Sequence, residues 1–376
     1  MAGENSVVQM LEGDRVSSSA NFSRNNLDCL RLILASTVAL FHIYALTGLA
    51  AFAAFGRYCS PHFAVRSFFV ISGLLIYRSY AQSSTVSSYL EKRVRRIYPA
   101  YFTVIVFAAI ALWPLSTLAS WQYFGSGFWK YLGSNLLFLN FLAPSLPGVF
   151  ATNLLPAVNG ALWTLKIEVA FYLFVPVIHL LCKRFGVKKV IGIAAGLSCM
   201  WKYGLVILDA MARARCGHLC DGTDTIYYKL EVQFPAQLIY FCAGILLFLY
   251  FDQLKSRFRT VFGITLIFYL LDHWLAGGNL DVLWIPGLVF IFGFWRYFGN
   301  FSKHGDFSYG VYIVHWPILQ TLILLGVARF SPAVFLLTSL ASIALAGFLL
   351  WHLVEKRFLK SSSHYRQAVV EAKGPA

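Results

Sequence analysis

The sequence LRLILASTVALFHIYALTG, residues 30–48, decides the fold class because it is an almost unbroken apolar run of membrane-spanning length. Similar runs recur almost to the end of the 376-residue chain, which is 59% hydrophobic and only 12% charged. This composition excludes a soluble globular enzyme, and the runs lack the short alternating pattern of β-barrel strands. The sequence therefore predicts an all-α, polytopic membrane helix bundle.

About ten apolar segments are long enough to cross the membrane as helices. They cover residues 30–50, 62–80, 97–118, 161–182, 190–208, 233–252, 260–276, 281–298, 308–328 and 333–354. Residues 131–144 are also apolar but too short to cross, so we expect this segment to be re-entrant or to lie at the interface. Counting it as a span would also invert the charge distribution of every later loop.

The formal net charge of +15 is explained by membrane topology. With ten spans, most Lys and Arg residues fall on one side of the membrane, and the positive-inside rule makes that side cytosolic. Both termini are then cytosolic, and the chain is expected in the cytoplasmic (inner or plasma) membrane. The charge requires no nucleic-acid partner.

The chain is expected to form one membrane domain, residues 27–358, between polar cytosolic tails of residues 1–26 and 359–376. The polar beginning has no apolar segment followed by a small-residue cleavage site, so no cleaved signal peptide is expected.

Seven scattered cysteines do not predict a disulfide framework. Cys216, His218 and Cys220 are close in sequence, and a local disulfide or free thiols explain them better than a zinc site with no fourth ligand nearby. Their role stays open, and no metal is expected.

Ionisable side chains inside the spans are costly and usually functional. Arg31 and His42 are eleven residues apart and face the same side of the first span, about 16 Å from each other along the axis. Glu168 has a similar predicted depth in the fourth span and shares its helix face with Thr164 and Tyr172. We therefore expect His42 and Glu168 to meet inside the bundle, where each eases the desolvation of the other.

Arg93 and Arg96 precede the third span, with Pro99 expected in its first helical turn. Membrane anchoring explains such a cationic run, and phosphate binding is the alternative interpretation. In the second span, Ser72 and Gly73 form a small polar notch. Helix packing is the first explanation of this notch, and room for a substrate chain is the second.

His315 lies in the ninth span, followed two residues later by Pro317. The proline is expected to free a backbone carbonyl and bend the helix. On general grounds a packed, hydrogen-bonded His315 is favoured over a catalytic one. Lys202 is expected to reach the interface from the end of its span.

Together these segments resemble the integral-membrane acyltransferase type 3 family, whose members transfer acyl groups, commonly acetyl, to cell-surface sugars. The matching segments, in family order, are NLDCLRLILASTVALFH, SFFVISGLLIYRSY, RVRRIYPAYF, ALWTLKIEVAFYL, SYGVYIVHWP and LVEKRF. The resemblance implies a ten-helix bundle that takes an acyl group from cytosolic acyl-CoA, commonly acetyl-CoA, and delivers it to a hydroxyl acceptor. Thr164 stands where the family often has Ser, and it keeps the hydroxyl.

The resemblance also implies roles for individual residues. His42 would be the general base or a proton shuttle, and Glu168 would orient it. Arg31, Arg93 and Arg96 would bind the CoA phosphates. The expected substrate-lining residues are Ser72, Trp163, Thr164, Tyr172 and His315. This chemistry needs no metal. The expected partners are membrane lipid, acyl-CoA and a glycan or other hydroxyl acceptor.

A proton-coupled secondary transporter or flippase is the alternative, because transporters also place ionisable groups and helix-bending prolines at the midplane. No inverted repeat is visible in the sequence, which counts against this class. A non-catalytic membrane protein is a third possibility. The identity of the acceptor, the acyl chain length, the choice between direct transfer and an acyl-enzyme, and the oligomeric state are not determined by these patterns.

Overall fold

The computed structural model describes residues 22, 24–216, 225–299, 301–360 and 363, and these residues form helices without any strand. The ten long helices are α1 (Leu27–Thr47), α2 (Pro61–Ala81), α3 (Val86–Ala111), α4 (Trp163–Phe185), α5 (Val187–Cys216), α6 (Phe234–Leu249), α7 (Phe258–Leu271), α8 (Asp281–Phe294), α9 (Ser308–Leu324) and α10 (Pro332–Leu350). The predicted all-α, polytopic class is confirmed. Most of the two predicted tails lies outside the described residues.

Each of the ten predicted spans overlaps one of these helices. Within the described part of the chain, eight helical stretches are long and apolar enough to cross a membrane, and they contain α1 to α7 and α10. The remaining two, α8 and α9, are apolar helices of 14 and 17 residues. The chain is therefore an integral membrane protein.

The segment expected not to cross forms a helix too short to do so. Its helix, Ser126–Leu136, has 11 residues and a length of about 16 Å, and a 3-10 turn at Asn140–Leu142 follows. The buried side chain of Asn135 donates to the Ala143 carbonyl at 2.8 Å and so satisfies a backbone group where the chain turns.

The expected position of Pro99 is wrong. Helix α3 begins at Val86, so Pro99 lies in its interior and not in its first turn. The polar residues before the proline form helix as well, supported by an ion pair of 2.8 Å between Glu91 and Arg95, four residues apart. The hydropathy pattern located only the apolar part of this helix.

The described helices fall into two compact units. The first unit contains Arg66–Tyr89 and Ile167–Tyr297, together with residues 22, 24 and 25. The second unit contains Asn26–Val65, Leu90–Lys166 and the described residues from 298 onward.

Close helix crossing in the first unit depends on glycine. A Cβ atom added to Gly73 of α2 would overlap the carbonyl oxygen of Phe241, and one added to Gly244 of α6 would overlap that of Val70. The small residue in the second span therefore serves helix packing, which is the first of the two interpretations above.

The interfacial position expected for Lys202 is also wrong. Lys202 is only 3% exposed, and its ammonium lies 2.8 Å from Asp281 and 2.5 Å from the Tyr240 hydroxyl. Arg66 binds the same Asp281 and also Glu231, at 3.1 Å. The two acids compensate the two cations, which is what allows them to be buried.

Candidate active site

The central feature of the second unit is a pair of histidines on two packed helices, α1 and α9. His42 Nδ1 lies 2.9 Å from His315 Nε2, within hydrogen-bonding distance. The two rings are nearly parallel, at 9°, with centroids 5.1 Å apart. His315 is fully buried, and its Nδ1 lies 2.6 Å from the Tyr312 carbonyl oxygen. His42 is half-buried.

Trp316 packs against the His42 ring of this pair. Its ring centroid lies 4.7 Å from that of His42, and its indole N–H donates to the Ala157 carbonyl at 3.1 Å. A side chain at Gly160 would overlap the same indole. The loop before α4 therefore lies directly against the part of α9 that carries His315.

Pro317 frees a carbonyl of α9, as predicted, and Asn159 satisfies it. Proline has no N–H, so the Ile313 carbonyl four residues earlier lacks its helical donor. The Asn159 amide donates to this carbonyl at 2.8 Å, and its oxygen accepts from the Ala161 N–H at 3.2 Å. One buried side chain thus joins α9 to the turn that starts α4.

The beginning of α4 contacts α9 a second time, one turn before His315. The hydroxyls of Thr164 and Tyr312 lie 2.8 Å apart, and both side chains are buried. Two of the predicted substrate-lining residues, Thr164 and His315, thus both contact Tyr312. Trp163, next to Thr164, is half-buried.

A cluster of arginines and carboxylates lies at the other end of α1. Arg31 is 2.5 Å from Asp306, and Arg96 binds Asp306 as well as Glu355, the latter at 2.8 Å. Burial raises the pKa of the Asp306 carboxyl, but the guanidiniums of Arg31 and Arg96 outweigh burial and bring this pKa below its usual range. Arg93, one turn before Arg96, is half-buried.

The first unit holds the other predicted residues. Tyr172 donates to the Glu168 carboxylate at 2.8 Å, which confirms that the two share a face of α4. The Tyr172 carbonyl, freed by Pro176, accepts from the Tyr89 hydroxyl at 3.1 Å. Ser72 is half-buried beside the α2–α6 crossing. His42 belongs to the second unit, so its pairing with Glu168 stays a prediction.

Comparison with known proteins identifies the family. The family model described as an acyltransferase domain, that of the acyltransferase type 3 family, matches residues 24–351. The chain belongs to this family.

Two relatives of this acyltransferase have informative names. This chain is 27% identical to the O-acetyl transferase of Shigella phage Sf6 over 349 residues, which cover 90% of this chain and 97% of the relative. It is 26% identical to nodulation protein 10 of Rhizobium leguminosarum bv. viciae over 370 residues, which cover 90% of this chain and 94% of the relative. No solved structure matches significantly. The transporter alternative is not favoured by these matches.

Acyl transfer to a hydroxyl needs a group that accepts a proton and returns it, which is chemistry that an imidazole can perform. From the sequence, His315 is expected to be packed or to line a substrate cleft, and its contact with His42 is not predicted. The partners of the arginines, Asp306 and Glu355, are not predicted from the sequence either. Their signal was available, since both are acids at the ends of otherwise apolar spans.

Among the described residues of the acyltransferase, no group of three or more His, Cys, Asp or Glu side chains is arranged to hold a metal ion. Cys216 is disulfide-bonded. His218 and Cys220 lie outside the described residues.

Proposed function

We propose that this membrane acyltransferase moves an acetyl group from cytosolic acetyl-CoA to a hydroxyl of a cell-surface or exported sugar. It would act in the cytoplasmic membrane with both termini in the cytosol, as the distribution of Lys and Arg indicates. The acetyl group and the oxygen acceptor follow the name of the phage relative, an O-acetyl transferase that the chain covers almost completely.

The observation that carries the proposal is the contact between the half-buried His42 and the buried His315 in a chain of this family. An imidazole titrates near neutral pH, so it can take a proton from a hydroxyl and release it again within one catalytic cycle. A position on a membrane-spanning helix is expensive for such a group unless it serves a reaction or a pathway.

In the proposed reaction, His42 removes the proton of the acceptor hydroxyl while the hydroxyl oxygen attacks the thioester carbonyl carbon. The tetrahedral intermediate collapses, the carbon–sulfur bond breaks, and CoA leaves as its thiolate. His42 then returns the proton to the thiolate sulfur, so that the histidine is regenerated and the products are an O-acetyl ester and CoA.

We propose that CoA phosphates compete with Asp306 and Glu355 for Arg31 and Arg96. These two arginines and two acids cancel in formal charge, so the phosphates would exchange one anionic partner for another. Arg93 lies one turn away on the same helix and completes the proposed set. Arg93→Gln is expected to raise KM for acetyl-CoA more than it lowers kcat.

The role of Glu168 stays a proposal within the same reaction: an acid that orients His42 or stabilises its imidazolium. Glu168→Gln keeps the hydrogen bond from Tyr172 available while removing the charge. Loss of kcat in this variant, with unchanged protein yield, would support the role.

The decisive experiment measures CoA release from labelled acetyl-CoA by purified protein in nanodiscs, with an extract of surface glycans as acceptor. Wild type is expected to release CoA and label the glycan, and His42→Ala is expected to do neither. His179→Ala is the matched control, since His179 is a half-buried histidine of α4 that contacts Tyr77. Labelled product from His42→Ala would reject the base assignment.

The same preparation separates the alternatives. Turnover that persists in EDTA supports metal-free chemistry, whereas counterflow of an unmodified solute without thioester cleavage would favour transport. Mass spectrometry of surface glycans from cells with and without the gene would identify the acceptor class.

A further inference from the structure

We propose that His315 is a positioning residue that holds His42 in the one tautomer able to act as a base, and that receives part of the positive charge when His42 takes up a proton. The inference rests on the proposed function and adds to it a second histidine that acts through the first. It assigns His315 a role other than lining the substrate site.

The tautomer of His315 follows from its hydrogen bond to the backbone. Its Nδ1 lies 2.6 Å from the Tyr312 carbonyl oxygen, and a carbonyl oxygen can only accept a hydrogen bond. Nδ1 of His315 must therefore carry a proton. In a neutral imidazole the other nitrogen is then a bare acceptor, so Nε2 of His315 presents a lone pair to His42.

The tautomer of His42 follows from that of His315. Its Nδ1 lies 2.9 Å from the His315 Nε2 lone pair, so this Nδ1 must be the donor of the hydrogen bond. A neutral His42 then has its own lone pair on Nε2. The backbone carbonyl of Tyr312 thus determines, through two rings, which nitrogen of His42 accepts the substrate proton.

The position of His315 is fixed by its surroundings. His315 has no exposed surface, and the rings of the pair differ by only 9° in orientation. Two residues shortly before it are also held, because the Tyr312 hydroxyl bonds Thr164 and the Ile313 carbonyl bonds Asn159. The part of α9 that carries His315 is therefore fixed to the beginning of α4.

His315 would also stabilise the positive charge that His42 acquires on protonation. When His42 Nε2 takes a proton, the ring becomes an imidazolium, and its bond to His315 becomes charge-assisted and stronger. The proton on His42 Nδ1 can then shift toward His315 Nε2, whose ring is already oriented by the carbonyl. Both effects stabilise the protonated pair in a medium that solvates charge poorly.

We expect the pH dependence of kcat/KM to be determined by His42 and His315 and not by the groups around them. The described ring contacts of the two histidines are with Phe41, Trp316 and Tyr312, and of these only Tyr312 titrates. Helix α1 carries Arg31, and Glu355 lies in the helical turn that follows α10, the second long helix packed on α9. Both belong to the arginine–carboxylate cluster, and Arg31 lies three helical turns from His42.

The test compares His315→Phe, which keeps a ring but removes the acceptor, with His315→Gln, whose amide oxygen can still accept from His42. In the acetyl-CoA assay, His315→Phe is expected to lose about 100- to 10,000-fold in kcat while KM for acetyl-CoA stays within about threefold. His315→Gln is expected to recover part of this loss. His179→Phe, on α4 of the first unit, is the matched control and is expected to keep wild-type kcat.

The pH profile distinguishes positioning from a structural role. Without an acceptor at position 315 the His42 imidazolium becomes less favourable, so the rising limb of kcat/KM should move to lower pH by about one unit in the residual activity of His315→Phe. The shift should be smaller in His315→Gln, whose amide oxygen still accepts from His42. A variant that is only misfolded would lose active protein and leave the limb unchanged.

Two outcomes overturn the inference, and they differ from failure of the proposed function. If wild type shows acetyl-CoA turnover and His42→Ala does not, but His315→Phe keeps wild-type kcat and pH profile, the positioning role is wrong. If both His315 variants lose activity only in proportion to lost folded protein, with an unmoved limb, His315 is merely structural. If wild type itself cleaves no thioester, the proposed function fails instead.

Discussion

Arg31 lies 2.5 Å from the carboxylate of Asp306, a buried acid that also binds Arg96. This one acid connects α1 and α3 to the segment before α9, which carries His315. Both arginines were expected to be phosphate ligands, and in this structure each is already paired with a carboxylate. The cluster is therefore a structural element of the second unit as well as a proposed substrate site. The structural role predicts a loss of stability when the cluster is changed, and the substrate role predicts weaker use of acetyl-CoA.

Asp306→Asn is expected to lower the melting temperature of the purified protein by at least several degrees. The substitution keeps the shape of the side chain but leaves two guanidiniums without their shared anion, and breaking a buried ion pair from one side costs about 3–5 kcal/mol. Thermal unfolding in detergent, followed by tryptophan fluorescence, measures the loss. Asp252→Asn, at an exposed position, is the control, and equal melting temperatures for all three proteins would contradict the prediction.

The contribution of Asp306 should depend on pH in one direction. Because its pKa in the folded protein is lower than the ordinary Asp value of about 3.9, its stabilising effect is complete above that ordinary value and is lost as the pH falls toward the folded value. The difference in melting temperature between wild type and Asp306→Asn should stay constant from pH 7 to about pH 5 and shrink below about pH 4. A difference that grows on acidification would show the wrong sign.

Asn159 and Pro317 should be energetically coupled. Asn159→Ala leaves the buried Ile313 carbonyl without a donor and is expected to cost about 1–3 kcal/mol. Pro317→Ala restores the backbone N–H that bonds this carbonyl in a regular helix, so the double variant should be more stable than the sum of the single losses predicts. A double-mutant cycle of unfolding measures the coupling, and strict additivity would argue against it.

Gly73→Ala is expected to destabilise the first unit, because the new methyl group would overlap the Phe241 carbonyl where α2 crosses α6. Gly192→Ala on α5 is the matched control, since no atom lies within 4 Å of its added Cβ. The control should be neutral or slightly stabilising, since alanine favours helix over glycine by about 1 kcal/mol. Similar melting temperatures for the two variants would mean that the crossing adjusts without cost.

Much of the fold was predictable from the order of the residues. Apolar runs of spanning length, interrupted by cationic loops, determine the all-α membrane class and the approximate position of each of the ten long helices, because hydropathy is a local property. The shared face of Arg31 and His42 also follows from helical geometry. The family follows from motifs such as SYGVYIVHWP, read in order along the chain.

The tertiary structure alone decided which polar groups meet. His42 meets His315, 273 positions away, and the arginines meet Asp306 and Glu355. Lys202, expected at the interface, is buried against Asp281. The physical reason is that nearly every face of these helices is apolar, so hydropathy shows that a segment enters the membrane but not which face packs on which neighbour. Partner choice depends on close packing between helices distant in sequence.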